Sequence, residues 1–584
     1  MSQKNNSRRN FIYQSLLATG GIILASNFIS CKNDDDTVPS DNIPDNLALT
    51  NFDYGVASFD PTASQVIIWT RYSSNAANVV ITWQVASDEA FENVIRSGEV
   101  TTTAERDYTV AVEVQDLDAN QKLYYRFIQL EEETVSPVGE TLTFPENASE
   151  VTIAICSCSN YPAGLFNVYK EMANSDADVI VHLGDYIYEY GENEYGTNEY
   201  TAALGRTHNP TTEILDLEDY RTRYKQYRSD SNLQHAHQKK PFICVWDDHE
   251  VSNDTYKDGA ENHQSDEGSF EARKAAAIQA YSEFVPVRTE DATKIYRSFN
   301  IGNLINLIML DTRVIGRDKQ LSYFDYLNTD GSIDAVAFQT ALYDTNRTML
   351  GTEQRNWLLS EVASNSAQWQ VIGQQVLMGK MLIPMELLLS MNTLLIELET
   401  TGSVSDATFA TFTNTMTELV TLKYMQLNGL PLTAEETARI ETVAPYNLDA
   451  WDGYPYEREI LLNAFENKNV VCLAGDTHNS WASALTRTNT NGENVQVAQE
   501  FATTSVSSPG FESYLGLAGG SAISSFEQAI TTLIDDLSYV DASRRGFVKI
   551  TFTAGDATAQ YTFVDNVNSE VYTASVAHTV SYNG

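Results

Sequence analysis

Five short stretches gather the residue types that metal chemistry uses: CSCSN (156–160), HLGDYIYEYG (182–191), WDDHEVSND (246–254), LDTR (310–313) and GDTHNS (475–480). Asp185 offers two oxygens and can bridge a pair of cations. Tyr188, one turn of loop later, is more selective: its phenol must shed a proton whose usual pKa is about 10, so it binds well only to a strongly Lewis-acidic ion such as iron(III), not calcium. A thiolate from the CSC pair and the imidazole of His478 add soft and borderline donors, a set that excludes a centre built for calcium or magnesium alone.

Each stretch follows an apolar run: VTIAIC (151–156), DVIVHLG (178–184), PFICVW (241–246), LINLIML (304–310) and NVVCLAG (469–475), with WQVIGQQV (369–376) as a sixth run. Runs apolar at nearly every position fit strands buried on both faces, and the helical patterns between them give an α/β layered domain over residues 146–584. In such sheets the chemistry lies beyond the carboxyl ends of the strands. One acidic strand end is usually a turn or a helix cap; four ends delivering Cys, Asp, Tyr, His and Asn to one edge make an active site.

The preceding region, residues 47–145, alternates apolar and polar positions in QVIIWTRY, NVVITWQVA, DYTVAVEV, KLYYRFIQL and GETLTF. Period-two alternation between turns predicts a fibronectin- or immunoglobulin-like β-sandwich. A Met- and Leu-rich stretch at about 381–440 predicts a helical pair inserted beside the site, and GFVKITFTAGDATAQYTFV with VYTASVAHTVSY a closing β-meander.

Residues 1–30 carry Lys4, Arg8 and Arg9, no acid, and then an apolar run ending in small residues, the make-up of an export signal. SRRNFI resembles a twin-arginine signal and FISC a lipobox, with Cys31 as the lipidated first residue of the mature chain. The polar segment 31–46 reads as a tether, and its KNDDD resembles an acidic signal for the outer face of the outer membrane. The expected location is therefore a lipid anchor in the periplasm or on the outer-membrane surface. Removing the three leader cations takes the formal charge from -42 to -45. Such a surface excludes nucleic acid and anionic lipid as partners, both of which need basic patches. Four cysteines besides Cys31 are too few for a disulfide framework in a chain of 584 residues.

Taken together in this order, YGVASFDPTASQVIIWTRY, CSCSNYPAGLFNVY, HLGDYIYEYG, DYRTRYKQYRSD, WDDHEVSND, LDTR, AWDGYP, GDTHNSWA and TTSVSSPG resemble the PhoD-like alkaline phosphatases, relatives of purple acid phosphatases and other metallophosphoesterases. The resemblance implies hydrolysis of phosphoesters by a metal-activated water, with iron(III) and one or two calcium ions. Register with the family assigns Cys158 as the metal-binding thiol and leaves Cys156, Cys244 and Cys472 as buried thiols. Asp248 and Asp476 stand where broader metallophosphoesterases carry Asn and His; with Asn253 they replace nitrogen by oxygen, which favours calcium. The metal set is then Cys158, Asp185, Tyr188, Asp248, Asn253, Asp476 and His478. The resemblance gives His249 contact with the phosphate and protonation of the leaving alcohol. Glu250 is either a ligand or a solvated carboxylate. Arg221 and Arg228, seven apart on a predicted helix, are either a phosphate fork or partners in ion pairs, and Asp311 and Arg313 are supports. The substrate is a small organic phosphoester, with a phosphodiester or phospholipid headgroup as the alternative; a surface binding protein with an inactive hydrolase domain is the reading from a different class.

Overall fold

The computed structural model describes residues 43–44, 46–329, 333–517 and 520–584. The export signal, Cys31 and most of the tether lie outside the described residues.

The six apolar runs become six strands divided equally between two sheets. Glu150–Cys156, Val179–His182 and Phe242–Cys244 run parallel in one; Ile305–Met309, Trp369–Gly373 and Val470–Ala474 run parallel in the other. Ile153, Ile155 and Val181 of the first sheet share a core with Leu307, Val371 and Leu473 of the second. The neighbours Ile308, Ile372 and Cys472 turn the other way, into a second core with helices Gly351–Ser364, Met385–Thr401, Asp406–Leu427 and Pro455–Phe465. Successive strand residues point to opposite faces, so a strand covered on both sides must be apolar at every position.

The amino-terminal strands do not stand apart as a closed sandwich. Val56–Phe59, Val66–Arg71 and Thr109–Val114 extend one side of the first sheet, which with three carboxyl-terminal strands on its other side counts nine, and they join it by the parallel pairing of Phe59 with Phe242. The remaining strands, Val94–Thr102, Val79–Ala86, Lys122–Gln129, Thr134–Val135 and Gly139–Leu142, form a five-stranded sheet; Ile81, Trp83 and Phe127 from it pack on Ile68 and Val112 of the extension. Asp60, at the seam, accepts both prongs of Arg297 at 2.8 and 2.7 Å and the backbone N–H of Arg288 at 2.6 Å. Alternation in sequence predicts two packed faces but carries nothing about which edge continues into a neighbouring sheet.

The carboxyl-terminal strands Arg545–Thr553, Ala557–Val564 and Ala574–Tyr582 form the expected meander on the free side of Glu150–Cys156, with Thr551 opposite Thr152. The insertion is a hairpin of helices Met385–Thr401 and Asp406–Leu427: Gly402, at φ 75°, stops the first, and the Ser405 hydroxyl caps the second. Strands Leu382–Pro384 and Val443–Pro445 pair at its base. Among the described residues no helix is long and apolar enough to cross a membrane, and the four cysteines there are free thiols.

Candidate active site

The loops after Glu150–Cys156, Val179–His182, Phe242–Cys244 and Val470–Ala474 meet where the two sheets converge. Backbone bonds lace them to one another and to the segment after strand Asn494–Ala502: Cys158 N–H donates to the Gly184 carbonyl at 3.1 Å, Ser159 N–H to that of Asp185 at 2.9 Å, and Val506 N–H, in that segment, to that of Ser157 at 2.9 Å. Gly184 lies at φ 109°, and a Cβ there would stand 2.4 Å from the Cβ of Asp247, so glycine lets two strand ends touch. Cys158, Asp185, Asp476 and His478 all have φ between 55° and 64°. Non-glycine residues rarely hold that conformation unless their surroundings enforce it, and such strain gathers at functional sites.

Three overlapping groups of donor atoms result: Cys158, Asp185 and His478; Asp185, Asp248 and His249; and Asp247, Asp248 and Asp476. Within each group the atoms lie within 4.8 Å of one another. Asp185 and Asp248 each belong to two groups. The Tyr188 hydroxyl lies 2.9 Å from Asp185 Oδ2, to which it donates, and 3.2 Å from His478 Nε2, and it accepts from Ser508 at 2.7 Å. His478 donates Nδ1–H to the Pro509 carbonyl at 2.9 Å, which leaves Nε2 as an acceptor facing the cluster. Burial, with the nearby His249, lowers its pKa to about 3, so it stays neutral.

The set fits metal ions. Asp185 Oδ1, Asp247 Oδ2 and Asp248 Oδ1 are buried and lack a hydrogen-bond partner among the described residues. Burial, reinforced by neighbouring negative groups, pushes the Cys158 thiol, the Tyr188 phenol and the Asp185 carboxyl well above their ordinary values. Added positive charge would be needed to deprotonate them, and one thiolate, one phenolate, one imidazole and several carboxylates are donors for a hard-to-borderline metal pair.

His249 is buried and donates Nδ1–H to the Glu189 carboxylate at 2.7 Å, with its ring 4.2 Å from that of Tyr188. Burial works against its protonated form, but Glu189, Asp248 and Asp185 together raise its pKa well above the ordinary value. Glu189 in turn accepts from the Asn253 backbone N–H at 2.7 Å and the Asn262 amide at 2.8 Å. Asn253 itself is held aside, its amide donating to Glu261 at 2.6 Å.

Glu250 is not solvated. It is buried and accepts the backbone N–H groups of Asp185 at 3.1 Å, Asp247 at 2.7 Å and Tyr186, bracing two ligand loops. Arg313, fully buried, is more central than a support: its guanidinium reaches Asp247, Asp449 at 2.8 Å and Asp476 at 2.9 Å, with Asp248 at 3.8 Å. Arg221 and Arg228 lie outside the cluster. Arg221 forks Glu283 at 2.7 and 2.6 Å and donates to the Glu105 carbonyl; Arg228 stacks over Trp69 at 4.3 Å and donates to the Tyr54 carbonyl. The phosphate-fork alternative is thus replaced by packing of their helix, Leu217–Arg228, against the amino-terminal region.

Sequence reasoning passed over Glu189, Asp247, Asp449 and Tyr195, whose hydroxyl lies 3.1 Å from His478 Nδ1. Glu189 and Asp247 sit inside quoted motifs, so their place in HLGDYIYEYG and WDDHE was the available signal. Asp449 had only its place next to AWDGYP.

Fold and site together define a phosphoester hydrolase. The chain belongs to the PhoD-like phosphatase family: that family's profile matches residues 153–561, and the profile of its N-terminal domain matches residues 38–145. Alkaline phosphatase D of Bacillus subtilis (strain 168) is 36% identical over 463 residues, spanning 76% of this chain and 67% of that protein. A solved structure described as the structure of PhoD superposes with a TM-score of 0.70 at 30% identity, covering 92% of each chain.

Proposed function

We propose that this chain is an exported, metal-dependent alkaline phosphatase that releases phosphate from small organic phosphoesters. The observation that carries the reading is the chain of overlapping donor groups linked through Asp185 and Asp248, with orphaned carboxylate oxygens in its middle. Cys158, Asp185, Tyr188 and His478 would hold iron(III). Asp185, Asp247, Asp248 and Asp476 would hold one or two calcium ions, and Asn253 joins them only if its amide turns from Glu261. Metals bound there supply Lewis acidity, polarising phosphoryl oxygens and acidifying water.

The chain's own residues do the rest. Arg313 aims the Asp247 and Asp476 carboxylates through hydrogen bonds and offsets part of the burial that raises their pKa values. His249, oriented by Glu189, carries the proton that the leaving alcohol takes up. The layered fold is read as four layers, α/β/β/α, with the strand ends at one rim. The twin-arginine and lipobox resemblances support export in folded form and a membrane anchor through Cys31, with the tether holding the hydrolase off the bilayer.

The test measures metal content and turnover of p-nitrophenyl phosphate and its bis ester by purified protein, with and without chelator. Stoichiometric iron and chelator-sensitive turnover are expected, the monoester faster. Turnover that survives complete removal of metal would end this proposal.

A further inference from the structure

The metal chemistry uses Asp185 and Tyr188 of HLGDYIYEYG and leaves Tyr190 without a task. The Tyr190 ring lies 5.5 Å from that of His249, inclined at 53°, and 5.5 Å from that of Tyr195, inclined at 54°. The Tyr195 ring is parallel to that of His249 within 6° at 6.4 Å. The three rings therefore cluster at one place, with His249 buried and Tyr190 and Tyr195 partly open to solvent. Tyr195 is held there by its surroundings. Gly196, at φ 87°, has no room for a Cβ, which would stand 2.0 Å from Asn160 Oδ1 in the CSCSN loop. The Tyr195 hydroxyl lies 2.7 Å from that of Tyr514, a residue 37% exposed, and the two hydroxyls lie 3.1 and 3.4 Å from His478 Nδ1.

The reaction fixes what must stand beside His249. Its proton goes to the ester oxygen of the departing alcohol, so the first atoms of that alcohol come within reach of the imidazole. The partly open surface adjoining the imidazole is that of Tyr190 and Tyr195. Charge narrows the class of alcohol. Glu261 acts on Tyr190, and Glu194 is exposed next to Tyr195. Arg544 and Arg545, which share a surface cavity with Tyr195 and Tyr514, are committed to Asp541 and Glu512. A leaving group with a carboxylate or a second phosphate would meet these acids, in a chain of net charge -42, without a free cation. An uncharged flat ring instead gains stacked or edge-on contacts with rings 4.5–7 Å away, beyond the area that it covers, and a saturated ring of the same size does not.

We propose that Tyr190 and Tyr195 form the leaving-group wall of the site and favour phosphoesters whose alcohol carries an uncharged aromatic ring close to the ester oxygen. Such a preference presupposes the phosphatase reading and the proton-donor role of His249, and it adds a substrate class to them.

Steady-state hydrolysis of benzyl phosphate and cyclohexylmethyl phosphate by the metal-loaded protein tests the wall. Both release a primary alcohol of similar size, and one of them presents a flat ring. Wild-type kcat/KM should favour benzyl phosphate about tenfold. At low ionic strength 4-carboxybenzyl phosphate should be about threefold poorer than benzyl phosphate. Tyr190→Leu and Tyr195→Leu should each lower the benzyl-to-cyclohexylmethyl ratio about threefold, and Tyr195→Phe, which keeps the ring, should hold it. The ratio compares two substrates on one preparation, so partial loss of metal or of folded protein does not move it. If one leucine variant fails to fold, the other decides. A wild-type ratio near one, a ratio unchanged in the folded leucine variants, or 4-carboxybenzyl phosphate as good as benzyl phosphate would overturn the proposal and leave the phosphatase reading standing. Hydrolysis of neither ester nor of p-nitrophenyl phosphate would overturn both.

Discussion

Replacing Arg313 by methionine removes the guanidinium that reaches all four of Asp247, Asp248, Asp449 and Asp476, at similar side-chain length. The carboxylates would stay buried without their counter-charge, and deleting one member of a buried pair destabilises by about 3–5 kcal/mol. With an unfolding entropy of about 2.1 cal/mol/K per residue, a chain of 584 residues unfolding as one unit would lose about 3 °C in Tm. The assay is differential scanning calorimetry of wild type and Arg313→Met, each with chelator and with millimolar calcium. Because a cation that binds only the folded state adds stability as RT ln(1 + [L]/Kd), calcium should restore more Tm in the variant than in wild type. Its turnover should still fall, since Asp247 and Asp476 lose their orientation. A variant as stable as wild type in chelator, or a deficit that calcium leaves unchanged, would refute the view of Arg313 as the charge that organises the cluster.

Other outcomes follow from the same contacts. Glu189→Gln should lower kcat about 10- to 100-fold with metal content intact, because it loosens the His249 ring without touching the donor set; loss of metal would contradict that division. Arg221→Met should destabilise by about 3 kcal/mol yet leave KM for p-nitrophenyl phosphate within about twofold, as urea unfolding and steady-state kinetics would show. Burial holds His182 at about 3 and, with Arg223, His208 at about 2. Both are neutral when folded and take up protons on unfolding, so their stability is full above about pH 6.5 and falls by about 1.4 kcal/mol per pH unit per histidine on going toward pH 3. Urea midpoints between pH 7 and pH 5 should show the decline, and His208→Gln should remove one histidine's share.

The strands and their carboxyl ends were legible because double-sided burial leaves a continuous apolar run, and because a glycine or polar cluster must follow where the chain turns. Cys158, Asp185, Tyr188, Asp248, His249, Asp476 and His478 stand in such places, and the structure draws them together. The division of six strands between two sheets was not legible, since a run such as LINLIML is the same in either. Nor was the Arg221 contact: a guanidinium reads alike whether it meets phosphate or Glu283, and the choice is made by a residue 62 positions away. Asn253 marks a different limit, because its partner Glu261 is on the same loop and the turn geometry decides whether the amide faces in or out.

The pairing of Thr551 with Thr152 has a consequence for how the molecule comes into being. The strand that ends in Cys156 acquires its outer neighbour only when residues 399 positions further along have been made. At about 5–20 residues per second of synthesis, that interval is roughly 20–80 s. Through it the edge of Glu150–Cys156 presents unpaired backbone groups, the kind of edge other chains can join. The donor loops, too, cannot all meet before Asp476 and His478 have been made, late in the chain.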